Sequence, residues 1–88
     1  MAEKDIKSEL RKFIIGNYLR GVRGYQLSDD DSFLKKAILD SIGVIELTNF
    51  IQAKYGIRVK VNEIIPENFD TLNSLERYIA GKPKKNAP

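Results

Sequence analysis

The chain has no cysteine, no histidine and no tryptophan among its 88 residues. Without cysteine there is no disulfide, no zinc–thiolate site and no thiol nucleophile. Without histidine the chain lacks the side chain most often used as a general base near neutral pH. Long hydrophobic runs are missing too. No stretch of about 18 apolar residues could span a bilayer, and the start "MAEKDIKSEL" carries no hydrophobic signal region. These absences predict a soluble, cytoplasmic protein without a membrane role, a resident metal or catalytic residues of its own.

What is present fits one small globular domain. Apolar residues make up 42% of the chain and charged residues 31%, a composition that builds a modest core and argues against disorder throughout. Carboxylates and lysines could still serve an enzyme, but the balance favours a domain that binds or carries. The net charge of +3 raises nucleic acid as a partner, so its location matters. Lys82, Lys84 and Lys85 all lie in "GKPKKNAP"; without them the 15 basic side chains fall to 12, equal to the 12 acidic ones. The expected organisation is a folded domain over residues 1–81 and a flexible basic tail over 82–88, with no nucleic-acid surface.

Four helical signals and no convincing strand predict an all-α fold: a small four-helix bundle of three main helices and one short helix, with a long loop between the first and second. The first helix is expected from about Asp5, as N-cap, to Arg20, with Gly21 beyond its end. Ile6, Leu10, Phe13, Ile14 and Tyr18 recur at helical spacing as its buried face. The connection "GVRGYQLSDDDSFLKKAIL" is too long to be a plain turn. Phe33, Leu34, Ile38 and Leu39 are its expected pins. Asp29, Asp30 and Asp31 lack the spacing, glycine and glutamate of a calcium loop and are expected to form a solvated acidic turn, Asp31 capping a short helical turn. The second helix should run from Ser41 to about Tyr55 and close at Gly56. "IRVKV" alternates like a strand but has no partner, and reads as an extended linker. Asn62 is expected to cap a short helix, "EII", stopped by Pro66. The last helix begins after Asp70 or Thr71 and ends at Gly81, with Leu72, Leu75 and Ile79 on one face and Tyr78 alongside.

The second helix carries apolar residues on two sides. At about 100° per residue from Ile42, Val44, Leu47, Phe50, Ile51 and Tyr55 span roughly 80° to 220°, a full core stripe. Ile42, Ile45, Glu46, Asn49 and Ala53 lie opposite. Ile42 borders the core and could pack under the long loop. Ile45 is expected to be exposed, and an exposed aliphatic residue beside a carboxylate reads as a docking patch. Ser41 opens this helix behind Asp40, a suitable N-cap. Unpaired N–H groups and the positive end of the helix dipole would favour a phosphate there. An isolated Asp-Ser pair is equally well an ordinary helix start.

The stretch "LDSIGVIEL" resembles the Asp-Ser-Leu attachment motif of the acyl and peptidyl carrier proteins. "FIQAKYGIRV" and "PENFDTLNSLERYI" follow at the spacing of that family's second helix and closing segment. The resemblance covers about Ser28 to Ile79, and Phe13 to Leu19 suit the family's first helix. It implies a free-standing carrier whose serine, Ser41, is esterified by 4′-phosphopantetheine taken from coenzyme A. Asp40 precedes it, and Ile42 replaces the usual leucine. A separate phosphopantetheinyl transferase activates the hydroxyl, which accounts for a serine with no base beside it. Acyl or aminoacyl intermediates then travel as thioesters, from a loading ligase, adenylating enzyme or acyltransferase to a downstream synthase or transferase. Fatty-acid-like, polyketide, nonribosomal-peptide and other specialised routes all fit the implied chemistry.

Ile42, Ile45, Glu46 and Asn49 match positions that face such partners. Ile38 stands where the family often has glycine, and Gly43 where many fatty-acid carriers have an acidic residue. With Glu46 as the only acid on that face, partners should rely more on apolar contact than on charge steering. The chain is expected to be a monomer by default. Two other classes compete: a helical adaptor that leaves Ser41 unmodified, and a small DNA-binding bundle. The neutral-to-acidic face of the second helix disfavours the latter.

Overall fold

The computed structural model describes residues 5–19 and 26–82. Helices α1 (Ile6–Tyr18), α2 (Ser41–Tyr55), α3 (Pro66–Phe69) and α4 (Leu72–Ala80) follow one another, with a 3₁₀ turn at Val61–Glu63. The described residues contain no strand, and the architecture is the expected helical bundle with one short helix. No helix among the described residues is long and apolar enough to cross a membrane.

Local chemistry sets most of the helix ends. Asp5 caps α1 by accepting from the Ser8 amide at 3.4 Å, and the helix stops at Tyr18, two residues before the expected Arg20. Arg20 and Gly21 lie outside the described residues. Asp40 caps α2 by accepting from the Gly43 amide at 2.8 Å. Gly56 ends α2 in the left-handed conformation, φ 65°, where a side chain would be strained. Thr71, not Asp70, caps α4, its hydroxyl accepting from the Ser74 amide at 3.0 Å.

Pro66 departs from expectation. It begins α3 instead of ending a helix before it, and Asn62 lies inside the 3₁₀ turn. At the first helical position a proline forgoes an N–H that would have no intrahelical partner, and its fixed φ already suits the helix. A proline after an apolar run is therefore as good a start signal as a stop signal.

Leu10 and Ile14 of α1, Leu47 and Ile51 of α2, and Leu72, Leu75 and Ile79 of α4 meet in the core, joined by Leu27, Phe33, Ile38, Leu39, Ile57 and Phe69. Ile6, Phe13, Tyr18, Val44, Phe50, Tyr55 and Tyr78 pack around it, partly buried. Three of the four expected loop pins are in this core. Leu34 is not: it is 69% exposed. The short turn after Ser32 rotates its side chain outward while burying Phe33.

The aspartate triplet also differs from a solvated turn. Asp29 pairs with Lys7 and Arg11 of α1, and its carbonyl accepts from the Asn73 amide of α4 at 3.1 Å. The Asp30 carboxylate accepts from the Asn73 side chain at 2.6 Å, while Asp31 pairs with Lys36 and accepts from the Ser28 amide at 2.8 Å. That amide bond is the main reason the Asp31 carboxyl is held below its usual range. Ser32, not Asp31, caps the following turn, accepting from the Lys35 amide at 3.1 Å. The triplet thus fastens the long loop to α1 and α4.

At the C-terminal end, Lys82 makes an ion pair with Glu63 at 2.9 Å. The remaining tail residues, 83–88, lie outside the described residues.

Candidate functional site

The segment leading to Ser41 is held by Asp70. Its backbone carbonyl accepts from the Phe33 amide at 2.8 Å, and its carboxylate accepts from the Leu34 amide at 2.9 Å and from the Ser32 hydroxyl. From there the chain closes a turn through the Ile38 amide to the Phe33 carbonyl, 2.9 Å, with Ala37 at φ 53°. The left-handed residue that favours glycine is therefore Ala37, one position before Ile38. Ile38 and Leu39 then turn into the core, and Asp40 and Ser41 emerge on the surface.

Ser41 is the first residue of α2 and is exposed. Its hydroxyl has no hydrogen-bond partner among the described residues. Asp40 turns its carboxylate to the Gly43 amide and not to this hydroxyl, so it shapes the helix start and is no base for Ser41. Beside the serine lies an open cleft of about 410 Å³, lined by Leu34, Val44 and Ile45 on one side and Ile64, Ile65 and Phe69 on the other. Its walls are the α2 face and the 3₁₀–α3 segment.

The second apolar stripe of α2 is exposed as a patch. Ile42 is 66% and Ile45 59% exposed, so Ile42 does not pack under the loop. Glu46, Asn49 and Ala53 continue this face in solvent. Leu34 and Ile65, 69% and 41% exposed, border the same cleft. The structure thus brings Ser41, Ile42, Ile45, Glu46 and Asn49 onto one surface and adds Leu34 and Ile65, which sequence spacing did not place there. Glu46 is not a free carboxylate: it accepts a hydrogen bond from the Tyr18 hydroxyl of α1.

Ser41 is thus an exposed serine at a helix start, with no base beside it and an open apolar cleft adjoining it. Residues 17–79 match the family described as "Phosphopantetheine attachment site". D-alanyl carrier proteins from three strains of Streptococcus thermophilus are each 30% identical to this chain over 71 residues, covering 81% of it and 86% of their own length. The chain belongs to the phosphopantetheine-attachment family. It is a carrier protein, not itself catalytic, and its prosthetic group is covalently bound 4′-phosphopantetheine. A carrier of this kind works with a phosphopantetheinyl transferase and with enzymes that load and unload it. Of the three classes the sequence allows, the family match supports the carrier.

Proposed function

We propose that Ser41 is the attachment residue and that the exposed face of α2, with Ile42, Ile45, Glu46 and Asn49, is where partner enzymes dock. The observation that carries the reading is the placement of Ser41: exposed, its hydroxyl unpartnered among the described residues, at the start of α2 in the segment matched by the attachment family. The residues present fit the group. A phosphate ester on Ser41 would stand at the N-terminal end of a 15-residue helix, where the dipole favours negative charge. The adjoining cleft offers apolar walls to the arm. The bound group supplies the thiol that a chain without cysteine lacks. Asp40 holds the first turn of α2 in place, and Asp70 fixes the loop that delivers it.

An aminoacyl cargo is favoured over a long acyl chain. Two observations support this: the similar proteins named D-alanyl carriers, and a cleft that is an open groove and not an enclosed tunnel. The loading enzyme is then an adenylating ligase, and the apolar docking face suits a partner that binds by contact more than by long-range steering. The cytoplasm is the expected compartment, and the monomer the expected form.

Incubation with coenzyme A, magnesium and a broad-specificity phosphopantetheinyl transferase tests the attachment. The wild type should gain the mass of one phosphopantetheine and Ser41→Ala none; a Ser41→Ala variant that still gains it removes Ser41 from the reading. The loaded wild type, offered D-alanine or a long-chain fatty acid with the matching ligases, should accept the amino acid more readily. Preferential fatty acylation would overturn the cargo assignment.

A further inference from the structure

Glu46 is the single acidic group among the residues proposed to meet partners, and Tyr18 touches it from a different helix. Tyr18 is the last residue of α1, and its hydroxyl donates to Glu46 Oε1 across 28 positions of sequence. The ring is partly buried. It meets Phe13 edge to face, with centroids 6.1 Å apart. Its edge faces the first turn of α2 at Gly43, where an added Cβ would stand 3.5 Å from Tyr18 Cε1, 3.2 Å from Leu39 Cδ2 and 3.3 Å from the Asp40 carboxylate. The side chains that crowd position 43 are therefore those of Leu39 and Asp40, with Tyr18 at ordinary contact distance. Burial, and then the bond to Glu46, push the Tyr18 phenol up to about 12, so it keeps its proton and remains a donor at any physiological pH.

We propose that Tyr18 is a positioning residue for docking: packed against Phe13 at the end of α1, it holds the Glu46 carboxylate in one orientation for a cationic group of the partner enzyme. The inference rests on the reading of α2 as the docking face. A free glutamate loses side-chain freedom when a partner binds it, and a pre-oriented one has already lost it, so the tyrosine contributes to affinity without touching the partner. On a face with so little charge, one fixed carboxylate sets register more than attraction.

The test uses transferase kinetics on the full-length apo protein with coenzyme A as co-substrate. Tyr18→Phe removes only the hydroxyl. The KM for the carrier should rise about twofold to tenfold while kcat stays level. Glu46→Gln should raise KM at least as much and weaken its dependence on salt. Tyr18→Phe added in the Glu46→Gln background should then change little. If Glu46→Gln raises KM but Tyr18→Phe does not, the positioning role fails and the docking face stands. If neither moves KM, docking face and positioning role fall together. A drop in melting temperature for Tyr18→Phe with KM unchanged would make the contact purely structural and overturn the proposal.

Discussion

Helix α4 turns Leu72, Leu75 and Ile79 into the core and presents Arg77 and Ala80 to solvent, whereas α2 buries Leu47, Thr48 and Ile51 and still leaves Ile42 and Ile45 in water. The first is an ordinary amphipathic helix, its leucines and isoleucine confined to one face. The second has apolar surface left over after packing. Fully burying each of those isoleucines would contribute about 1.5–3 kcal/mol, so leaving them exposed forgoes stability that a partner's surface can recover on binding. Polar fastening divides in the same way. The start of α4 is tied to the long loop through Asn73, and its end to Glu63 through Tyr78 and Lys82. Around Ser41 the contacts hold the loop and the helix start but leave the hydroxyl free. One helix builds the domain; the other has surface to offer a partner.

The sharpest way to break this contrast is to truncate one side chain on each helix. Leu75→Ala, at a fully buried site, should cost about 2–5 kcal/mol in urea unfolding. Ile45→Ala should stay within about 0.5 kcal/mol of the wild type yet raise the transferase KM. Equal losses of stability would mean that Ile45 belongs to the core. A smaller effect of opposite sign is expected at Ala37. A non-glycine residue in the left-handed region costs about 1–2 kcal/mol, and glycine gives back about 0.5–1 kcal/mol in chain entropy. Ala37→Gly should therefore stabilise slightly, with attachment at Ser41 unimpaired; a lower melting temperature would contradict the conformation of the loop.

The smallest effect sharpens the account of how α4 is fastened. Bonds from Lys82, then Tyr78, then the Lys60 amide lower the Glu63 carboxyl from the usual 4.5 to about 2. A carboxyl depressed by folding contributes stability that is complete above about 4.5 and is lost as pH falls toward 2. Solvent reaches and screens this partly buried group, so the share is minor. Melting temperatures of wild type and Glu63→Gln should differ most above pH 5 and converge as the solution approaches pH 2. A constant gap across that range would mean the ion pair does not set the carboxyl.

The ends of α2 were legible because both signals are local. An aspartate that can accept from the amide three residues on, and a glycine that tolerates φ 65°, act within one turn of helix. The core face of α4 was legible because spacing alone defines it. Pro66 was ambiguous because the same ring that ends one helix starts another, and only the route of the chain decides which. Leu34 was misplaced because apolar character does not say which neighbour in a turn faces in. The aspartate triplet was misjudged because its partners, Lys7, Arg11 and Asn73, lie far away in sequence. Asp70 carries no mark in the sequence of its bonds to Ser32, Phe33 and Leu34, more than 35 positions away.

By itself the sequence determined the three long helices, both ends of α2, the two-sided character of α2 and the serine with no base beside it, because periodicity, capping and residue chemistry operate over a few residues. Tertiary structure alone decided that Leu34 and Ile65 join Ser41 around one cleft, that Asp70 holds the loop, and that Tyr18 reaches Glu46. Those depend on which distant segments come within bonding distance, and that is fixed only when the whole core packs.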